Sequence, residues 1–349
     1  MRHLRGKKSL NAAAPAEDVA MKPGSAFPAL LAGLAVCGLL AVPVDASRAQ
    51  AANPTRIAVA LFGPHESLQQ VVDGFKQELA AQGIKATYDE GNVNFDRSLV
   101  PQFLNRLAAS KPDLMLTVTT PMTQSARQIL ANRSFPIVFA PVTDPVAAKL
   151  VPSWDKGDTL MSGASNLPDL AATCDFIRTL LPGAKRLGIL YNPGDDSDVT
   201  FVARLEQIAP KHGMELVKVG VDNANDIPVR IQSLQGRADA LFIPASSLLQ
   251  PAGAAIAAVS NRIKLPVFNS NTAQIRNHQM LAAYSVDWKK VGINAGAVAA
   301  EILKGKPPSE VPVRLPKPED HQVVISGQRL KDLGLTLPVS LKDCNCVVD

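Results

Sequence analysis

Hydroxyl, amide and carboxylate side chains gather in this chain at five short stretches, each following an apolar run. They are Thr119-Thr120-Pro121-Met122-Thr123-Gln124, Pro141-Val142-Thr143-Asp144-Pro145, Tyr191-Asn192-Pro193-Gly194-Asp195-Asp196-Ser197, Pro244-Ala245-Ser246-Ser247 and Phe268-Asn269-Ser270-Asn271-Thr272. Such groups hold a small molecule by hydrogen bonds and do not by themselves break one. Singly, each stretch is explained as a helix cap or turn, because Ser, Thr, Asn and Asp satisfy the free N–H groups of a starting helix. Together they read as the lining of one binding cleft, which His65 in Phe62-Gly63-Pro64-His65-Glu66-Ser67 either faces or leaves for solvent. Phe62, Phe139, Tyr191, Phe242 and Phe268 end the same runs and supply apolar walls, although Phe139 and Phe242 read equally well as core aromatics.

Bond-making machinery is missing from the pattern. There is no Gly-rich phosphate loop with Lys-Ser/Thr, no G-x-G-x-x-G after a strand and no G-x-S-x-G elbow. His65, His212, His278 and His321 are scattered without metal-ligand spacing, and Cys344-x-Cys346 lacks a second ligand pair. The expectation is a binding protein with no catalytic residue, cofactor or metal.

The polar stretches need elements to position them. Apolar runs at 56–62, 86–88, 113–118, 136–139, 187–191, 215–219, 240–243 and 266–268 read as strands covered on both faces. Between them lie segments of helical spacing at 68–79, 98–108, 122–130, 169–181, 199–209, 226–234, 252–263 and 288–303; in the first, Leu68, Val71, Val72, Phe75 and Leu79 form one stripe. Thr120 is expected to cap the third helix, with Pro121 at its first position. The alternation restarts near Leu187 after an irregular stretch, 142–168, expected to hold a crossover and surface loops. The fold class is therefore α/β, with two Rossmann-like lobes of parallel sheet. Ligands of open α/β sheets bind beyond the carboxyl ends of the strands, where all the polar stretches fall.

The front of the chain reads as an export leader. Lys22 precedes an apolar run from Ala26 to Val44 that Pro28 and Pro43 break, and Ala49-Gln50-Ala51 has the small-residue pattern of a cleavage site. The formal net charge of +5 falls to +2 without residues 1–51. Nothing resembles the basic stripe of a nucleic-acid surface. Cys37 leaves with the leader, so Cys174, Cys344 and Cys346 remain; at most one bridge forms among them, and the tail around the last two reads as a solvated terminus.

These residues bring a family into view. The chain resembles the ABC transporter substrate-binding proteins of the tryptophan/tyrosine (amino-acid) type, in the type I periplasmic-binding-protein superfamily. The resemblance is carried by Asp73-Gly74-Phe75, Lys111-Pro112-Asp113, Thr120 to Gln124, the string from Pro136 through Phe139 and Asp144 to Val146, Leu190-Tyr191-Asn192-Pro193-Gly194, and Tyr284-Ser285-Val286-Asp287 with the helix to Leu303-Lys304-Gly305. It implies two lobes joined by three hinge crossovers with a small ligand, often an amino acid, between them. The expected division is a leader at 1–51, a first lobe of 52–165 plus 285–318, and a second of 166–284 plus 319–349. By this resemblance Thr120, Thr123, Gln124, Thr143 and Asp144 line the cleft from the first lobe, and Asn192 and Ser197 from the second. His65, Asp195, Ser246, Ser247, Ser270 and Asn271 complete the candidate set by their place at strand ends.

The chain departs from the family where the ligand is decided. Relatives carry an acidic residue and an amide at Ser246-Ser247, Ser-Asp at Ser270-Asn271, and a Glu-x-Asn-Ser pattern at Asp195-Asp196-Ser197-Asp198. A carboxylate for an ammonium is thus missing, leaving Asp144 or Asp195 to substitute, or else a neutral or anionic ligand. The implied function is that of a monomeric periplasmic receptor that delivers a small molecule to an ABC permease served by a separate ATPase. A periplasmic sensor of the same fold and an exported hydrolase are the rival readings.

Overall fold

The computed structural model describes residues 53–349. The leader, its cleavage site and Cys37 lie outside the described residues. The strands are β1 (Thr55–Leu61), β2 (Ala86–Asn92), β3 (Leu114–Val118), β4 (Ile137–Val142), β5 (Met161–Ser165), β6 (Arg186–Tyr191), β7 (Glu215–Gly220), β8 (Ala240–Ile243), β9 (Val267–Asn269), β10 (Ala282–Val286), β11 (His321–Ser326) and β12 (Val347–Val348). The helices are α1 (Glu66–Ala81), α2 (Val100–Ala109), α3 (Thr120–Ile129), α4 (Leu170–Leu180), α5 (Asp196–Ile208), α6 (Ile227–Gln232), α7 (Gly253–Arg262), α8 (Ala273–Arg276), α9 (Trp288–Leu303) and α10 (Gly327–Asp332).

Two sheets form, ordered β2-β1-β3-β4-β5 and β12-β11-β10-β9-β8-β6-β7. All pairings are parallel except β10 with β11. The apolar runs work by their period of two. Ile57, Val59 and Leu61 enter the core under α1 and α9, while Ala58, Ala60 and Phe62 enter the core on the opposite face with residues of α2 and α3. The second sheet is sandwiched likewise, with Leu187, Ile189 and Phe242 on one face and Leu190, Leu241 and Ile243 on the other. Helices α1 and α9 touch backbone to backbone: a Cβ on Gly74 would collide with the Lys289 carbonyl, and one on Gly292 with the Val71 carbonyl.

The chain passes between the sheets three times: after β5, after β10, and on entering β11. This is the type I architecture that the resemblance implied. Ser285 and Val286 belong to β10 and pair with Gln322 and His321, so the second passage falls two residues beyond the division read at 284/285.

Several elements escaped the sequence reading. Met161-Ser-Gly-Ala-Ser165 has no β-branched or aromatic residue to announce a strand, yet it pairs with β4, and Ala164 bridges Arg314. Its small residues are required there, since a Cβ on Gly163 would strike the carbonyl and ring of Phe139. The expected surface loop at that point is corrected to a buried strand. The tail is corrected too: Cys344 and Cys346 form a disulfide, Cys346 is buried, and β12 adds to β11 as the sheet edge. Among the described residues no helix is long and apolar enough to cross a membrane, and no cluster of ligands suits a metal ion.

Candidate functional site

The carboxyl ends of the central strands of both sheets face one another across a cleft cavity. It is lined from the first sheet's side by His65, Ser67, Phe95, Thr119, Thr120, Pro121, Pro141 and Thr143, and from the second's by Ser197, Ala245, Ser246, Ser247, Gln250 and Asn271, with Asn166 and Trp288 standing at the passages. A narrow inner annexe adds Asp198, Phe201, Ser270 and Ser285.

Local backbone chemistry aims these groups. At the end of β3, Thr119 sits at φ 94°, ψ 155°, a region that non-glycine residues enter at a cost of order 1–3 kcal/mol. It, and not Thr120, is the N-cap of α3, and its Oγ1 accepts from the Met122 N–H. Thr120 therefore opens the helix and lines the cavity at its positive end. His65 caps α1 through Nδ1, which accepts from the Ser67 N–H at 3.3 Å. Burial holds its imidazole below the ordinary histidine value against the opposing pull of Glu66.

Of the candidates, His65, Thr120, Thr143, Ser197, Ser246, Ser247 and Asn271 line the main cavity, and Ser270 lines the annexe. Five are placed elsewhere. Thr123 is fully buried, donates to the Thr119 carbonyl at 2.8 Å and pairs with Thr117 Oγ1 at 2.9 Å, so it belongs to the core. Asn192 folds its Oδ1 onto the Gly194 N–H, closing its own turn. Asp195 caps α5, accepting from the Ser197 N–H and Oγ, and stands 3.8 Å from Arg97. Asp144 caps its own turn through the Val146 and Ala147 N–H groups and pairs with Arg204. Gln124 sits at the rim, where its Nε2 donates to Asp196 at 2.8 Å. The expectation that Asp144 or Asp195 stands ready for an ammonium is corrected: Asp144 is occupied by two backbone donors and Arg204, and Asp195 by the Ser197 N–H and hydroxyl with Arg97 beside it.

Those contacts reveal what the arrangement does. Gln124 with Asp196, Asp144 with Arg204, Arg97 with Asp195, and Asn271 with Ser67 each join one lobe to the other. The lobes are thus closed on each other. Sequence reasoning missed the groups with most unspent capacity: Asn166 Oδ1, Gln250 Oε1 and Trp288 Nε1 are buried in the cavity wall with no hydrogen-bond partner. A lone buried polar atom costs roughly 1–3 kcal/mol, so three such atoms on residues of one cavity wall mark a site shaped for a polar guest. Asn166 lay hidden after a strand that sequence did not announce. Trp288 opens α9 directly after the Tyr284-to-Asp287 segment, a signal that could have drawn notice.

Comparison with known proteins agrees with this geometry. A tyrosine-binding protein of Clostridioides difficile is 29% identical over 283 residues, covering 80% of this chain and 81% of its own. The solved ABC domain from Streptococcus pneumoniae in complex with L-Trp is 26% identical, covers 85% of this chain and all of its own, and superposes with a TM-score of 0.79. A ligand-free, open substrate binding protein with adhesive properties from Clostridium difficile, also 26% identical and covering 84% of this chain and 99% of its own, superposes less well at 0.66. The sequence pattern of one family, described as ABC transporter substrate binding protein, matches residues 56–344, and to that family this chain belongs.

Proposed function

We propose that this protein is the extracytoplasmic receptor of an ABC importer, taking one amino acid or close relative between its lobes and handing it to a membrane permease powered by a separate ATPase. Residues 1–51 would serve as its export leader, and it would work as a monomer. The observation that carries the reading is the cavity between the lobes, with three unpartnered polar atoms on its lining residues and cross-lobe contacts around it. A ligand touching both lobes favours the closed state by its differential affinity for it. The better superposition on the L-Trp complex than on the open, ligand-free relative supports the same reading. Apolar walls at Phe95, Pro121 and Trp288 suit an aromatic or branched side chain. His65, Thr120, Thr143, Ser197, Ser246, Ser247, Ser270 and Asn271 would contact the ligand, and none of them needs to perform chemistry on it.

The test is thermal melting against the twenty amino acids, small peptides, sugars and carboxylates. A true ligand at about a hundred times its Kd stabilises by about 2.7 kcal/mol. A shift with one group of amino acids is expected; turnover of a bound compound, or no shift with any, would overturn the reading.

A further inference from the structure

Asp198 is the carboxylate of this cavity that no cation answers. It is the third residue of α5, 2% exposed, and lines the annexe beside Asn166, Ser197 and Trp288. One oxygen accepts from the Asn192 N–H at 2.8 Å, and the Ser246 hydroxyl stands beside it. Its buried neighbours Asp144 and Asp195 each have an arginine; Asp198 has none among the described residues. A buried carboxylate without a counter-ion is costly unless a ligand brings the charge.

We propose that Asp198 is the counter-ion for a cationic nitrogen of the ligand, with Asn166 Oδ1 accepting a second N–H from the same group. This rests on the receptor reading above. An ammonium has three donors and no acceptor, and the residues around the annexe include this carboxylate and the partnerless carbonyl oxygen of Asn166. Opposite needs are met elsewhere in the main cavity: Trp288 Nε1 is an unused donor, and the N-terminus of α3 at Thr120 favours a ligand carboxylate. Burial, reinforced by the Asp195 charge, pushes the Asp198 carboxyl up to about 7.

The experiment compares wild type with Asp198→Asn, which keeps the shape and the acceptor for the Asn192 N–H. Titration calorimetry is run with the amino acids that shift the melt, L-tyrosine and L-tryptophan included, and with their deaminated acids, 3-(4-hydroxyphenyl)propionate and indole-3-propionate. The wild type should bind amino acid and reject the deaminated acid, and Asp198→Asn should lose roughly 30-fold or more for the amino acid, the scale of truncating one partner of a buried charge pair. Without ligand, Asp198→Asn should melt higher than wild type above neutral pH, because it removes an unpaired charge. Amino-acid binding kept within about threefold by the variant, or a lower melting point of the empty variant, would overturn the Asp198 assignment while leaving the receptor reading intact. Binding of only the deaminated acids would do the same. No response to any compound would overturn both.

Discussion

Arg204→Ala tests whether the ion pair between the lobes sets affinity. In the closed form Arg204 Nε lies 3.1 Å from Asp144 Oδ2, and a second guanidinium nitrogen reaches the same oxygen. The Asp144 side chain is 4% exposed and that of Arg204 39%. A hydrogen bond to a charged group contributes about 1.5–3 kcal/mol, and the exposure of the guanidinium lowers this to roughly 1–2 kcal/mol. Asp144 keeps its two backbone donors, so the remaining carboxylate is not abandoned. Since each 1.4 kcal/mol is about tenfold, the closed state should lose roughly 5- to 30-fold against the open one. The pair exists only when the lobes meet, so the loss falls on ligand affinity, chiefly as faster release. The assay is calorimetry with stopped-flow dissociation, beside the melting point of the empty protein. The expected result is weaker binding with an almost unchanged empty melting point. An unchanged Kd and release rate, or an equal fall in the empty melting point, would refute the reasoning. Raising salt should weaken wild-type binding more than that of the variant.

Further outcomes follow from the same contacts. The folded-state value of about 7 for Asp198 stands above that of an unfolded carboxyl, so the folded protein holds the extra proton between about pH 4 and 7. Stability of the empty protein should therefore fall as pH rises across that window, by an amount on the order of a few kcal/mol, and Asp198→Asn should lose less; parallel melting curves would count against it. Trp288→Phe removes the unpartnered Nε1 and should weaken binding by about 0.5–1.5 kcal/mol, while wild-type tryptophan fluorescence should change on ligand addition. Cys174 is fully buried, with its thiol pushed up to about 12 by burial and the Asp175 charge, so mass mapping should find it unalkylated until the protein is unfolded. Gly163→Ala should lower stability by about 1–3 kcal/mol, read by denaturant melting, through collision with Phe139.

The fold was largely legible because its strands are buried on both faces and its long helices carry full apolar stripes. A strict apolar-polar alternation is not needed when both faces are covered; continuous runs such as that from Ile57 to Leu61 suffice. The strand at Met161 was illegible because its identity comes from what surrounds it, with Gly163 chosen for space against Phe139. Within the site, the loops were legible and the roles of their carboxylates were not. Asp144, Asp195 and Asp198 look alike in sequence, and each accepts from a backbone N–H, at a turn, at a cap and at Asn192 respectively, but only the third lines the annexe. Only the partners Arg204 and Arg97, distant in sequence, separate the occupied acids from the free one.

The repeated passage of the chain also governs the order in which the molecule can be made. Strands β1 to β5 complete the first sheet by Ser165, yet the flank of α1 bearing Val71 and Gly74 waits for the segment from Trp288 to Leu303 to cover it. The second sheet waits in turn for β11 and β12. A nascent chain therefore carries an unfinished apolar flank through most of its synthesis, and a gene cut at the first passage would not yield two sound halves.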